Sequence, residues 1–434
     1  MERELSRHRL EHRNSLDTKM DKRPKTTRRF DDKRALILAC ATGLINRNGV
    51  RGMTLSEVAK SISVVPAGVM YYFKTKEQLA ATCYLQGLEQ LQEFVTLGEA
   101  GADAAERSGL FLSAYFDAER RAALGEGNEL IFYDDARALD DSSVTVAYIE
   151  MFRSMRHLLV GAALAGYDRP ALNARVHLFV SEVLWSPAWL PQSDPRDYSR
   201  VASRMHDIML HGIAAPMSVW APLPLPQSAM TPQSATVDAR EMFLRSATQL
   251  INEKGHRAAS VDSIAAKLGL TKGAFYHHIK TKDALIVACF ERSIDVIWQA
   301  IDAAEAVSSS ALQTLATVCA ALLEYQLLGN VPLLRSNALA SLNEATKASL
   351  YRKYNRITYR FASILSDGIA DGSIRLIDVN LGAPMIMGMI VCADYLSSWV
   401  PGITITDAVQ LYARPVFDGL LQEPLARRGS TFHS

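Results

Sequence analysis

The chain has 434 residues, enough for two to four domains at roughly 100–200 residues each. Apolar residues make up 49% and charged residues 21%, a balance that excludes wholesale disorder. Its 47 basic and 46 acidic side chains leave a formal net charge of only +1, which excludes coating nucleic acid by bulk positive charge.

In chain order, residues 1–32 hold little apolar periodicity and carry the basic run KRPKTTRR; they read as an arm that is disordered in the free chain. Residues 33–83 open with Leu36, Ala39, Cys40, Gly43 and Leu44 at helical spacing. Residues 84–215 continue as long amphipathic stretches with no strand alternation. In 216–237, prolines among small polar residues read as an extended, semi-rigid linker. Residues 238–289 return to helical spacing at Met242, Leu244, Ala247, Leu250 and Ile251; 290–425 again read as helix, and 426–434 as a tail. The expected fold class is therefore all-α.

The longest apolar run, 381–393, ends at Asp394 and is too short to span a bilayer. The charged N-terminus has no hydrophobic stretch of the signal-peptide kind. Cys40, Cys83, Cys289, Cys319 and Cys392 lie far apart, with no metal-ligand spacing among cysteines or histidines. These features point to a reduced, intracellular chain with no metal, no cofactor and no membrane partner.

The near-zero net charge hides a pattern. Basic minus acidic residues give 17 − 9 = +8 over 1–83, 11 − 19 = −8 over 84–237, 8 − 5 = +3 over 238–289 and 11 − 13 = −2 over 290–434. A repeat in charge accompanies a repeat in sequence. Shifted by 206 positions, Ala41, Thr42, Leu44, Ile45, Asn46, Gly49 and Arg51 fall on Ala247, Thr248, Leu250, Ile251, Asn252, Gly255 and Arg257. Further on, Ala59, Lys74, Thr75, Lys76, Leu79 and Cys83 fall on Ala265, Lys280, Thr281, Lys282, Leu285 and Cys289. A weaker echo pairs Trp189-Leu190-Pro191 with Trp399-Val400-Pro401 at an offset of 210. So long a period makes each copy a whole unit of about 200 residues.

In the second copy Ser260 can cap a helix carrying Val261, Ile264, Ala265 and Leu268. Gly269 suits a left-handed turn, and Thr271 caps a short helix over 272–279. Helix, short turn and second helix make the motif whose second helix enters the major groove. The string SVDSIAAKLGLTKGAFYHHIKTKDAL resembles the DNA-binding signature of the tetracycline-repressor (TetR/AcrR) family of bacterial regulators. That resemblance implies phosphate contacts at Ser260, Tyr276 and Lys282, with Thr271, Lys272, Gly273, His277 and His278 against the groove or backbone.

The first copy, TLSEVAKSISVVPAGVMYYFKTKEQL, resembles the same signature with three departures. Ser63 stands at the turn glycine, Val65 at the capping hydroxyl and Met70 at the phosphate-binding tyrosine. A left-handed Ser63 costs roughly 1 kcal/mol, and the lost cap about another 1 kcal/mol. Pro66 at the first helical position offsets part of this. Met70 is suited to a thymine methyl rather than a phosphate. The expected contacts of this head are Thr54, Pro66, Ala67, Tyr71, Tyr72 and Lys76, joined by an arm of Lys22, Arg23, Lys25, Arg28 and Arg29 in the minor groove.

The resemblance implies that each unit couples its reading head to a helical domain that binds an effector and dimerises. With both units in one chain, the expectation is an intramolecular pseudo-dimer on double-stranded operator DNA with unlike half-sites, a homodimer being the alternative. Repression released by a small molecule is the family's common mode. Aromatic and sulfur side chains in the acidic parts, Phe152, Trp185, Trp189, Tyr351, Met387 and Trp399, are candidates to line the effector pocket. No glycine-rich phosphate loop, nucleophile elbow or HExxH argues for an enzyme. Two rivals remain: an architectural DNA binder without a ligand, and a regulator in which 238–289 alone reads DNA.

Overall fold

The computed structural model describes residues 25–133, 136, 139–161, 164–230, 239–258, 281–327, 333–335, 338, 339 and 342–422. Helices dominate throughout. The first reading head consists of α1 (Lys25–Gly52), α2 (Leu55–Ser61) and α3 (Pro66–Met70). Its body follows as α4 (Lys76–Gly98), α5 (Ala104–Ala123), α6 (Ser142–Leu159), α7 (Arg169–Trp185) and α8 (Tyr198–His211). The second half contributes α9 (Ala239–Ala258), α10 (Lys282–Val307), α11 (Ala311–Leu327), α12 (Glu344–Ala370) and α13 (Val379–Cys392), then short helical segments through 405–418.

The helix starts follow from local chemistry. Asp103, Asp141 and Asp168 accept from backbone N–H groups one turn into α5, α6 and α7, as do Asn343 and Asp378 at α12 and α13. Each satisfies an orphan donor, and the carboxylates also meet the positive end of the dipole. Thr75 and Thr281, equivalent by sequence, cap α4 and α10 identically, accepting from Gln78 N and Ala284 N at 3.1 Å.

Two expectations need correction. Helix α1 begins at Lys25, so Lys25, Arg28 and Arg29 sit on its first turns rather than on an irregular arm. Between Pro24 and the body of α1 the sequence has no breaker, and a proline just before a helix start is favourable. The buried stripe of α1 is also rotated by one position. Ile37, Leu38, Ala41 and Ile45 are buried while Leu36 is exposed, and likewise Phe243 is buried and Met242 exposed.

The two halves pack into one body through α7 and α8 of the first and α13 with 405–418 of the second. Arg175 is buried here, donating to the carbonyl of Leu420 at 2.7 Å and to the hydroxyl of Tyr167 at 2.6 Å. Asn173 donates to the Trp399 carbonyl at 3.0 Å. The contact is reciprocal. Ile213 N donates to Val416 O at 3.2 Å, and Leu420 N donates to Met209 O at 2.7 Å. At an offset of 207, 209 becomes 416 and 213 becomes 420, so each half gives the other the same bond, the signature of a two-fold interface. Gly212 (φ 66°) and Gly419 (φ 102°) make this possible. A Cβ on either would lie 2.0 or 2.2 Å from a carbonyl oxygen of the opposite half.

The proline-rich linker is extended but docked. Trp220 is buried against Phe417 with ring centroids 4.4 Å apart, and Leu223 N donates to Thr317 Oγ1 at 3.0 Å. The apolar stretch around α13 is longer than 381–393. Among the described residues Val379–Trp399 reaches the length and apolarity of a membrane span, but 67% of its apolar window is buried inside the fold.

Candidate nucleic-acid interface and inter-half cavity

In the first head Thr54 caps α2 through a reciprocal box, its hydroxyl accepting from Glu57 N at 3.2 Å and its backbone N–H donating to Glu57 Oε2 at 3.1 Å. The turn that follows holds Ser63 at φ 55°, the left-handed conformation expected where glycine is missing. Val65 offers no side-chain cap to α3, and Pro66 occupies its first turn. Val69 is buried, anchoring α3, while Val65, Pro66, Ala67, Met70 and Tyr71 are exposed. The outward face of α3 is thus apolar, with the Tyr71 hydroxyl its sole side-chain hydrogen-bonding group.

Tyr72 is half-buried, its ring 4.6 Å from that of Phe30 on the early turns of α1, and Phe30 also meets Tyr71 at 6.1 Å. The helical extension of α1 therefore braces α3. Lys76 is half-buried, its Nζ 3.4 Å from the Arg51 carbonyl. Arg28 and Arg29 are exposed, as are Lys60 and Lys74, two cations beside the motif that the sequence reading did not single out. Lys22, Arg23, Ser260, Thr271, Lys272, Gly273, Tyr276, His277 and His278 lie outside the described residues. Lys282, the first residue of α10, is half-buried.

Each head is tied to its body by the same asparagine. Asn46 on α1 donates to Leu130 O at 2.8 Å and accepts from Phe132 N at 2.9 Å. Asn252 on α9 donates to Leu333 O at 2.8 Å and accepts from Arg335 N at 3.2 Å. The paired cysteines also match: Cys83 Sγ lies 3.8 Å from Leu38 O and Cys289 Sγ 3.6 Å from Leu244 O. Burial pushes both thiols up to about 11, so they are packing groups rather than nucleophiles.

Between the halves lies a cavity of about 750 Å³. Its first-half wall includes Asn46, Phe132, Trp185 and Trp189, and its second-half wall Tyr351, Tyr354, Thr358 and Met387. Four of the six expected pocket residues, Trp185, Trp189, Tyr351 and Met387, thus come together. Phe152 and Trp399 do not line it: they stack on each other, centroids 3.7 Å apart and 5° from parallel. Sequence spacing cannot reveal that pairing, because the rings come from opposite halves. Asn46 and Phe132 place one wall of the cavity at the contact between α1 and its body.

The profile of the bacterial regulatory proteins of the tetR family matches residues 37–83 and 243–289. The chain belongs to the TetR family. It is a tandem: two TetR-type helix-turn-helix units in one chain. Among its relatives, the TetC protein of transposon Tn10 from Escherichia coli is 44% identical over 57 residues, 13% of this chain and 29% of that protein. The regulator YerO of Bacillus subtilis is 35% identical over 54 residues, 12% of this chain and 19% of that protein. The chain thus spans less than a third of the length of these two relatives. The transcriptional repressor KstR2 of Mycolicibacterium smegmatis is 24% identical over 198 residues, 44% of this chain and 95% of that protein. Among solved structures, the ketosteroid regulator KstR2 of Mycobacterium tuberculosis aligns over 43% of this chain and 96% of its own, at 21% identity and a TM-score of 0.35.

Proposed function

We propose that this TetR-family chain is a sequence-specific DNA-binding transcription regulator, working as an intramolecular pseudo-dimer. Its two unlike heads read the two halves of one operator, and a small molecule in the inter-half cavity releases it. The observation that carries this reading is the reciprocal contact of 209 with 420 and 213 with 416, a dimer-type interface satisfied within a single chain. Tethering keeps the two heads together at any protein concentration. The basic heads and acidic bodies of the charge count orient the molecule toward DNA.

The heads differ in what they can read. The exposed face of α3 has no arginine, asparagine or glutamine for bidentate base contacts, so its half-site is read through thymine methyls and phosphates. The second head keeps Lys272, His277 and His278 at the equivalent positions. Release follows from the hinge: an effector that fits the cavity better when α1 is displaced shifts the chain toward a state unable to span both half-sites. Repression lifted by the effector is the mode this arrangement favours.

Selection of the full-length protein against random duplexes, with footprinting of the enriched site, tests this reading. The expected result is one footprint over two half-sites of different sequence. A perfect palindrome, or no enriched sequence, contradicts it. The strained Ser63 and uncapped Val65 favour one second reading, in which 238–289 alone contacts bases; a footprint over a single half-site is its mark.

A further inference from the structure

The cavity has an equivalent in the other junction between the halves, and the two are not alike. Helices α6 and α12 match at the offset of 206: Val144, Met151 and Met155 are buried, and so are Leu350, Ile357 and Phe361. In that register Tyr148 corresponds to Tyr354, and Phe152 to Thr358. Trp189 and Trp399 correspond at 210. Each junction therefore holds a tryptophan of one half and, from the other, a tyrosine and the residue four positions on.

In one junction that residue is Phe152, and Trp399 lies flat on it at 3.7 Å and against Tyr148 at 5.8 Å. The stacked rings leave no space between them. In the other junction the residue is Thr358, which has no ring to stack, and Trp189, Tyr354 and Thr358 line open volume. Two donors without acceptors lie in the walls of the open site, their atoms covered by neighbouring groups. The Trp189 indole N–H and the Tyr354 hydroxyl are both buried and have no hydrogen-bond partner. An indole N–H can only donate, so whatever satisfies it must bring an acceptor.

We propose that the chain holds one effector site where a homodimer of such units would hold two. The Trp189–Tyr354–Thr358 cavity takes an organic molecule with an apolar body and an oxygen acceptor, a carbonyl, carboxylate or sulfonate, while Trp399 plugs the equivalent place. The inference deepens the effector reading above and rests on it for its regulatory meaning, but not for the binding itself. The apolar body would pack on Trp185, Phe290 and Met387, all of which line the same volume. One occupied site pushes on one hinge, that of Asn46.

The test is titration of the full-length protein with 8-anilinonaphthalene-1-sulfonate, an aromatic anion with sulfonate oxygens, read by fluorescence and native mass spectrometry. Wild type should bind one molecule per chain. Thr358→Phe, the residue of the plugged junction, should weaken binding at least tenfold while leaving the melting temperature of the free protein equal or higher. The reciprocal Phe152→Thr should raise the stoichiometry to two; if that variant does not fold, Thr358→Phe decides alone. No binding by wild type, two molecules per wild-type chain, or Thr358→Phe binding as wild type does, overturns the proposal. Operator binding measured on the same samples separates the two readings. One probe bound without any DNA selectivity leaves the site standing and removes the regulator, whereas selective DNA binding with two probes bound does the reverse.

Discussion

The two head–body hinges use the same asparagine but stand on different ground. Asn46 ties α1 to the 130–132 segment with the cavity on its open side. Asn252 ties α9 to Leu333, and Arg335 reinforces that tie by donating to the Asn252 carbonyl at 3.2 Å and pairing with the Asp394 carboxylate. The Arg335 guanidinium also lies 4.0 Å from the Tyr395 ring centroid. Among the described residues, the first tie borders the cavity and the second is backed by Arg335. A hydrogen bond shared by two repeats thus stands in different surroundings in each.

The bodies differ in the same direction. The first half buries Glu182 and one carboxylate oxygen of the half-buried Glu119, where the second half, at offsets of 210 and 206, has Cys392 and Tyr325. Tyr325 accepts from Arg292 at 2.5 Å, whereas burial pushes Glu119 up to about 7 and Glu182 well above the usual carboxylate range. A carboxyl raised in the folded state stabilises fully below its unfolded pKa and loses that contribution as pH rises through the folded one. The largest effect that would separate the halves is therefore a fall in stability between about pH 4.5 and 7, on the order of 2 kcal/mol from Glu119. Urea midpoints of wild type and Glu119→Gln at pH 5 and 8 check it: the pH dependence should shrink in the variant. An unchanged dependence would break the contrast.

The hinge contrast predicts the next effect. Arg335→Met should cost about 2 kcal/mol, because it strands a partly buried Asp394 carboxylate. Arg47→Met, near the first hinge, should cost under ~0.5 kcal/mol, since the Arg47–Glu129 pair spans 3.5 Å with both side chains at least half exposed. Equal denaturation midpoints for the two variants would mean that the hinges are braced alike. The smallest effect lies in the first head, where Ser63→Gly should gain about 1 kcal/mol by relieving the left-handed serine. A loss of stability there would show that Ser63 makes a contact worth more than its strain.

Much of this architecture was legible in the sequence, because the determining residues are local. The offset of 206, the Thr75 and Thr281 caps, the left-handed Ser63 and the missing cap at Val65 all follow from a few adjacent positions. The buried face of α1 was not, since the run around Ile37 is apolar on every side and spacing alone cannot choose among its stripes. Nor was the division of aromatics into an open and a plugged junction. Phe152 looked like any pocket residue until Trp399 of the other half lay across it. Four of six pocket candidates meet in one cavity because the fold brings the end of α7 and the segment after it against one face of α12 and α13. Asn46 escaped notice as a hinge because its partners, Leu130 and Phe132, sit in an irregular segment without a motif.

The central claim is that one chain does the work of a dimer. Native mass spectrometry of the full-length protein on its selected operator tests it most directly. The account predicts a single chain of 47.8 kDa per duplex at every protein concentration below saturation of nonspecific DNA. Two chains per operator, appearing cooperatively as concentration rises, would contradict it.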